Sequence, residues 1–317
     1  MFEINENRDT SPSTAFFLMI VFVGVGLVIG SLISVGIWVG MTGRPFMDLE
    51  KDMQNPLYAN PARVLQLVSA FFTIFVPALA GAMLMSRKPF KWLRYKEGFN
   101  GKQLLLVVGI LLFSMPLVGS LGELNQLIPV PKSWELSFKK LEDMYNSQVE
   151  ALSAIRNTAE FVFSLIVLAL LPALFEETLF RGGFQQTLTR WFKNPTAAII
   201  VTSIIFSAIH FSYYGFLPRF ALGVILGMLF YYSQSIWPSV CAHFLNNAMA
   251  VTYMYYLSLH GKPAKDLTED TNMPIWWAVP SLILVIVLMK EYKKTSAKRL
   301  IEKIPPMDGP AGISTLA

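Results

Sequence analysis

The chain contains eight apolar stretches, and polar segments separate them. In sequence order they cover residues 14–41, 64–85, 103–122, 161–181, 196–211, 217–232, 238–257 and 275–289. The first stretch is uncharged and would measure about 42 Å as a helix, which exceeds the apolar core of a signal peptide. The pattern predicts an all-α fold, a polytopic transmembrane helical bundle of about eight spans.

The composition supports this fold class. Of the 317 residues, 54% are hydrophobic and 15% are charged, and the mean hydropathy of +0.48 is too high for an ordinary soluble domain. Cys241 is the single cysteine in the sequence. It therefore has no partner for an internal disulfide and belongs to no CxxC cluster of the kind that binds structural zinc. The mixed charges of residues 123–160 argue against a nucleic-acid partner.

The distribution of Lys and Arg predicts the orientation in the membrane. The loop 87–102 holds six basic residues and one acidic residue, and the segment 290–303 holds six basic and two acidic residues. Basic loops stay in the cytoplasm, so both termini are expected there. If the cell is bacterial, the protein is expected in the inner membrane. The opposite loops, 48–51, 123–160 and 262–270, contain most of the acidic residues. Within 123–160, Leu136, Leu141 and Met144 have the spacing of a surface helix.

The most informative stretch is FVFSLIVLALLPALFEETLFR, from Phe161 to Arg181. Charges inside an apolar span are costly, so they indicate a functional site or a buried ion pair. On a helix, Glu177 and Arg181 share a face, whereas Glu176 is turned roughly 100° away. We interpret Glu177 and Arg181 as a structural pair and expect Glu176 to have a chemical role.

Two histidines lie in other spans. His210 ends the sequence FSAIH, with Phe206 one turn before it, and His243 begins HFLNN, with Asn247 one turn after it. If spans four and five form an antiparallel hairpin that turns near residue 193, Glu176 and His210 lie at matching depth. His243 lies at the same depth as Glu176 and His210 only if this hairpin projects into the cytosol. The polar character of residues 185–193 favours that projection.

One carboxylate, two imidazoles and one carboxamide would then meet in the cytosolic half of the bundle, as an intramembrane polar site. This set is typical of hydrolysis: a desolvated glutamate can act as general base, and a histidine can orient the water. An amide and an imidazole can donate hydrogen bonds to an oxyanion. No serine or cysteine of the cluster is placed to suggest a covalent nucleophile, so attack by water is favoured.

The sequences EETLFR, FSAIH and HFLNN resemble the EExxxR, FxxxH and HxxxN motifs of the CPBP family of intramembrane proteases. That family includes the type 2 CAAX prenyl proteases and bacteriocin-processing relatives, and the resemblance covers about residues 160–258. It implies an eight-helix membrane endopeptidase. The implied catalytic residues are Glu176 and His210, which activate water, and His243 and Asn247, which stabilise the oxyanion, with Glu177, Arg181 and Phe206 in support.

The resemblance also leaves a metal site open, because family members are described as metalloproteases. His210 and His243 with Glu176 would be the ligands of a Zn²⁺ ion with an open water position. The chain has no HExxH sequence, and we prefer Glu176 as a base, so no cofactor is assigned. The expected partners are the lipid bilayer and a peptide or membrane-protein substrate that is lipid-modified in some family members.

We predict four regions. These are an N-terminal three-span region (1–122), an extracytoplasmic amphipathic connection (123–159), a CPBP-like catalytic core of spans four to seven (160–258), and the last span with a basic cytosolic tail (259–317). Two other functions remain alternatives to the protease. A proton-coupled transporter would also place Glu and His inside spans, and a non-catalytic scaffold or sequestering protein would share the fold.

Overall fold

The computed structural model describes residues 8–262 and 273–302. In those residues the chain is helical and has no strand, which confirms the predicted all-α bundle. Its longer helices are α1 (Pro12–Thr42), α2 (Pro56–Met85), α3 (Gly101–Gln126), α4 (Lys132–Leu152), α5 (Thr158–Phe192), α6 (Pro195–Ala208), α7 (Phe216–Ser233), α8 (Trp237–Leu259) and α9 (Ile275–Glu302). Short helical turns occupy Leu49–Asp52 and Pro89–Trp92. The predicted outer loop beyond residue 262 and the basic tail from residue 303 lie outside the described residues.

All eight predicted spans are helices. Among the described residues, six helices are long and apolar enough to cross a membrane: α1, α2, α3, α5, α7 and α9. The protein is therefore an integral membrane protein. Helix α6 is apolar but has only 14 residues, and α8 does not reach the same apolar character because it contains polar residues such as His243 and Asn247.

Helices α1 and α2 pack closely at two glycines. A Cβ atom at Gly26 would lie 2.0 Å from the carbonyl oxygen of Phe72, and one at Gly30 would lie 3.2 Å from the Phe72 Cβ. At a second pair with the same spacing, Gly36 and Gly40, an added Cβ would meet no atom within 4 Å. Small residues at four-residue spacing therefore mark a helix interface at the first pair and not at the second.

Proline commonly interrupts a helix, but Pro116 does not interrupt the third span. Helix α3 continues past Pro116 to Gln126. The hydroxyl of Ser281, on α9, accepts a hydrogen bond from the Leu117 N–H at 3.1 Å and donates to the Phe113 carbonyl. A side chain from a neighbouring helix thus satisfies backbone groups beside the proline, which is how proline is tolerated inside membrane helices.

Helix α5 is one long helix with two wider, π-helical segments, Leu165–Leu170 and Thr178–Gln185. An ordinary α-helical segment, Leu171–Glu177, separates the two π-helical segments, and Glu176 and Glu177 are its last residues. The chain then reverses at Lys193, which has a positive φ of 53°, and Asn194 caps the start of α6 by accepting a hydrogen bond from the Ala197 N–H at 3.1 Å. The predicted hairpin therefore turns where the sequence indicates.

The sequence suggested that the polar residues near the end of the hairpin lie in solvent. In the structure some of them are buried. Gln185 and Gln186 are buried. The Gln185 side chain donates to the Gly227 carbonyl at 2.9 Å, and the Gln186 side chain donates to the Trp92 carbonyl at 2.7 Å. Backbone carbonyls of other segments thus replace water as their partners, and the exposed part of the hairpin begins at Arg190.

Helix α4 is the surface helix expected between the third and fourth spans, and Ala151 is its one buried residue. It touches the loop that follows α6. The Phe138 ring stacks on Tyr213 with ring centroids 4.9 Å apart, and the Ser212 hydroxyl donates to the Glu142 carboxylate at 2.9 Å. The amphipathic connection therefore packs beside the segment that begins at His210.

Candidate active site

The predicted site residues come from three helices and one turn. Helix α5 supplies Glu176, Glu177 and Arg181, α8 supplies His243 and Asn247, and α6 supplies Phe206 and is followed by His210. The site lies between two apolar clusters. One cluster joins α1, α2, α5 and α6, and the other joins α3, α7, α8 and α9.

Glu177 is fully buried, and its two carboxylate oxygens face different side chains. Its Oε2 lies 3.1 Å from Nε of Arg181, so the predicted ion pair is present. Its Oε1 lies 2.9 Å from Nδ1 of His243. This second contact joins α5 to α8 and was not foreseen, because the two residues are 66 positions apart and no spacing rule connects them.

Arg181 is buried together with its counter-ion. Its Nη2 donates to the Gly223 carbonyl at 3.2 Å, and its guanidinium carbon lies 5.1 Å from the centroid of the Phe206 ring. Gly223 also lets α7 pack closely against α6, because a Cβ there would lie 3.0 Å from Ser203. Gly223 and Gly227, which are four residues apart on α7, thus present their carbonyls to Arg181 and Gln185.

Glu176 has the different environment that the sequence predicts. Its side chain is 16% exposed, whereas that of Glu177 is 0% exposed. Its Oε2 lies 3.8 Å from Nε2 of His243, which is beyond hydrogen-bond distance. Among the residues that the structure describes, this oxygen has no hydrogen-bond partner. Glu176 therefore retains acceptor capacity for a water molecule or a substrate proton.

Phe206 is the common neighbour of both histidines. The centroid of its ring lies 5.1 Å from that of His210 and 5.8 Å from that of His243. Its carbonyl oxygen lies 2.8 Å from Nδ1 of His210. Because a carbonyl can only accept, this Nδ1 is protonated, and Nε2 of a neutral His210 has a lone pair. His210 can therefore accept a hydrogen bond or a proton at Nε2.

The same reasoning sets the chemistry of His243. The Glu177 carboxylate accepts a hydrogen bond from Nδ1, so Nε2 carries a hydrogen only in the imidazolium form. Glu177 is a counter-ion for that charge. His243 can therefore donate from Nε2 toward the side of Glu176 when it is protonated.

Asn247 lies one turn further along α8 than His243. It is partly exposed, and its Oδ1 accepts a hydrogen bond from Asn246 Nδ2 at 3.3 Å. Ser207 lies three residues before His210, and Ser239 lies four residues before His243. The Ser207 hydroxyl donates to the Phe216 carbonyl at 2.7 Å, and the Ser239 hydroxyl donates to the Ile236 carbonyl at 2.8 Å. Both hydroxyls are thus bonded to backbone carbonyls instead of to a histidine nitrogen.

The zinc alternative would require three side chains placed around one ion. Across residues 8–262 and 273–302, no group of three His, Cys, Asp or Glu side chains is placed to hold a metal ion. The Nδ1 atoms of His210 and His243 both contact oxygen atoms, so only their Nε2 atoms could be metal ligands, as is common for histidine. The chemistry proposed below therefore uses no step through a metal.

The basic loop before α3 also supports the site, and the sequence alone did not indicate this role. Leu93 is fully buried against Gly182, where a Cβ would lie 2.8 Å from the Leu93 side chain. The Tyr95 hydroxyl bonds to the Thr178 hydroxyl. The Gly182–Gly183 pair after Arg181 was the available signal, since adjacent glycines within a helix suggest close approach of another segment.

Comparison with known proteins identifies the central part of the chain. Residues 158–249 match the family model described as Rce1-like, type II CAAX prenyl endopeptidase. The matched segment contains all three motifs, so the resemblance to the CPBP proteases is confirmed. Neither the search of curated proteins nor that of solved structures found a match.

Proposed function

We propose that this membrane protein, whose residues 158–249 form an Rce1-like endopeptidase domain, hydrolyses a peptide bond with water activated by Glu176 and His210. The observation that supports this most is the placement of two adjacent glutamates around one imidazole. Glu177 lies 2.9 Å from Nδ1 of His243, and Glu176 lies 3.8 Å from Nε2 of the same ring. Glu177 is bound to Arg181 and His243, whereas the carboxylate of Glu176 can accept a proton from water.

The proposed reaction begins with a water molecule beside Glu176. The carboxylate takes a proton from the water while the oxygen attacks the peptide carbonyl, and Nε2 of His210 orients the water through its lone pair. The oxyanion of the tetrahedral intermediate accepts hydrogen bonds from His243 Nε2–H and the Asn247 amide. When the C–N bond breaks, Glu176 returns its proton to the leaving amine. Arg181 acts through Glu177 and does not touch the substrate.

We place the reaction near the cytosolic face of the membrane, with both termini in the cytosol. The basic loop 87–102 packs near the start of α8, where the indole N–H of Trp237 donates to the Tyr95 carbonyl at 2.9 Å. His243 lies about 9 Å along α8 from Trp237, and the helix continues for about 24 Å beyond it. If basic loops are cytosolic, the site therefore lies in the cytosolic half of the bundle.

The proposed substrate is a peptide or the end of a membrane protein. The matched family is described by its action on CAAX prenyl substrates, so the proposed class includes a lipid-modified C-terminus. A bilayer-embedded site favours such a substrate, because a lipid group would hold the polypeptide at the membrane.

The test is to trap the substrate with an inactive variant. Cells that produce Glu176→Gln should accumulate an uncleaved protein that mass spectrometry identifies by its intact terminus. The matched control is Glu135→Gln on the exposed face of α4, which makes the same chemical change away from the site. Purified wild-type protein should then cleave the accumulated protein. Cleavage by Glu176→Gln at the wild-type rate would remove Glu176 from the mechanism.

A further inference from the structure

A second feature of the protein is an apolar groove of about 550 Å³ between α3, α7 and α9. It shares no residue with the candidate active site. Leu282 and Ile286 on its rim are 45% and 44% exposed, so the groove opens toward the surroundings of the bundle. Its lining is mostly aliphatic, and representative residues are Leu117, Leu121, Val224, Met228, Leu282 and Ile286.

One end of the groove is positively charged. Lys290 and Lys293 belong to its lining and are exposed, and no acidic residue belongs to that lining. The Lys293 ammonium lies 5.4 Å from the centroid of the Tyr232 ring. Among the described residues, neither lysine forms an ion pair, and the carboxylate of nearby Glu291 is bound to Lys102 at 2.7 Å. The two ammonium groups are therefore available to an anion.

The length of the groove matches one leaflet of a bilayer. Along α9, Leu282 and Lys293 are separated by about 16 Å at the helical rise. Half of a bilayer's hydrocarbon core is about 15 Å thick. With the lysines at the membrane surface, where their charges are solvated, the apolar end of the groove reaches about the middle of the bilayer.

We propose that this groove binds an anionic phospholipid, with an acyl chain along the apolar lining and the headgroup phosphate between Lys290 and Lys293. The apolar lining would accept the chain of any phospholipid. The two unpaired cations favour a headgroup with net negative charge over a zwitterionic one, by about fivefold for each lysine. This proposal does not depend on the peptidase reaction.

The test measures lipid binding to the full-length protein. Native mass spectrometry in detergent compares adducts of dioleoyl phosphatidylglycerol and dioleoyl phosphatidylcholine, which have the same chains. Wild-type protein should prefer the anionic lipid, and K290Q/K293Q should reduce that preference by about 25-fold. The matched control is K294Q/K298Q, which removes two charges from the same helix outside the groove. A preference that is unchanged in K290Q/K293Q, or lost equally in both variants, would overturn the proposal.

A second variant tests the acyl chain. Ile286→Trp places a large side chain in the groove at a position that is already exposed, so the fold should be retained. Adducts of both lipids should decrease in this variant. If Ile286→Trp has an unchanged melting temperature and still binds both lipids, the proposal is contradicted. Displacement of the lipid by inorganic phosphate would show an anion site without a chain. Displacement by a farnesylated peptide would assign the groove to a substrate, and either result would overturn the phospholipid.

Discussion

Nδ1 of His243 lies 2.9 Å from Oε1 of Glu177, and the other oxygen of that carboxylate lies 3.1 Å from Nε of Arg181. A single buried carboxylate thus joins a cation on its own helix to an imidazole on another. The ion pair contributes to the packing of α5, and the hydrogen bond orients the imidazole. Changes at Glu177 or Arg181 should therefore alter both stability and activity. Loss of the ion pair should mainly lower stability, and loss of the hydrogen bond to His243 should mainly lower activity.

Arg181→Ala should destabilise the protein by roughly 3 to 5 kcal/mol, because it removes the guanidinium from the buried pair and leaves Glu177 with the His243 imidazole alone to balance its charge. Thermal unfolding in detergent measures the effect. Arg181→Lys keeps the charge but loses the donor to Gly223, and it should unfold between the wild type and Arg181→Ala. If Arg181→Ala is as stable as the wild type but slow, the arginine contacts the substrate instead.

The double variant Glu177→Gln with Arg181→Met should recover most of the stability that Arg181→Ala loses. Replacing both members of a buried ion pair is often neutral, whereas removing one is costly. Cleavage of the trapped substrate should remain low, because His243 no longer has a charged partner at Nδ1. Recovery of both stability and activity would show that Glu177 does not position His243.

Asn247→Ala should lower the rate of cleavage by about 10² to 10³-fold, which is the usual cost of removing one donor from an oxyanion site. The melting temperature should change little, since Asn247 is partly exposed. Asn146→Ala is the matched control, because it removes the same group from an exposed position on α4, away from the site. Equal losses of activity in the two variants would contradict the role of Asn247.

Gly26→Ala should destabilise the protein by about 1 to 3 kcal/mol, because its Cβ would lie 2.0 Å from the backbone oxygen of Phe72, which cannot rotate away. Gly36→Ala makes the same change where no atom lies within 4 Å. It should be neutral or raise stability by up to about 1 kcal/mol through helix propensity. Thermal unfolding of the two variants tests the interface, and equal melting temperatures would contradict the α1–α2 packing.

A cysteine that replaces Lys193 should react with a membrane-impermeant thiol reagent from the cytosolic side only, in a background with Cys241→Ser. Lys193 is exposed at the end of the hairpin. Gln186→Cys is the control, and it should stay unlabelled from both sides because Gln186 is buried beneath the basic loop. Labelling of Lys193→Cys from the outside would invert the proposed topology.

Several features followed from the sequence alone because they depend on neighbours along one helix. Apolar stretches of sufficient length predict spans, and all eight became helices. The four-residue spacing predicted the Glu177–Arg181 pair, and the turn near residue 193 followed from Lys193, Asn194 and Pro195. The four-region division of the chain and the roles of the site residues stay predictions.

The tertiary structure decided which helices meet, and therefore which polar groups are partners. Gly26 and Gly36 have the same local pattern, but only Gly26 lies against another backbone. Gln186 was expected in solvent and is bound to the Trp92 carbonyl. Helix periodicity determines which residues share a face, but not which helix that face will contact. In a membrane, lipid and protein are similarly apolar, so the choice of partner depends on close packing and hydrogen bonds between residues far apart in the sequence.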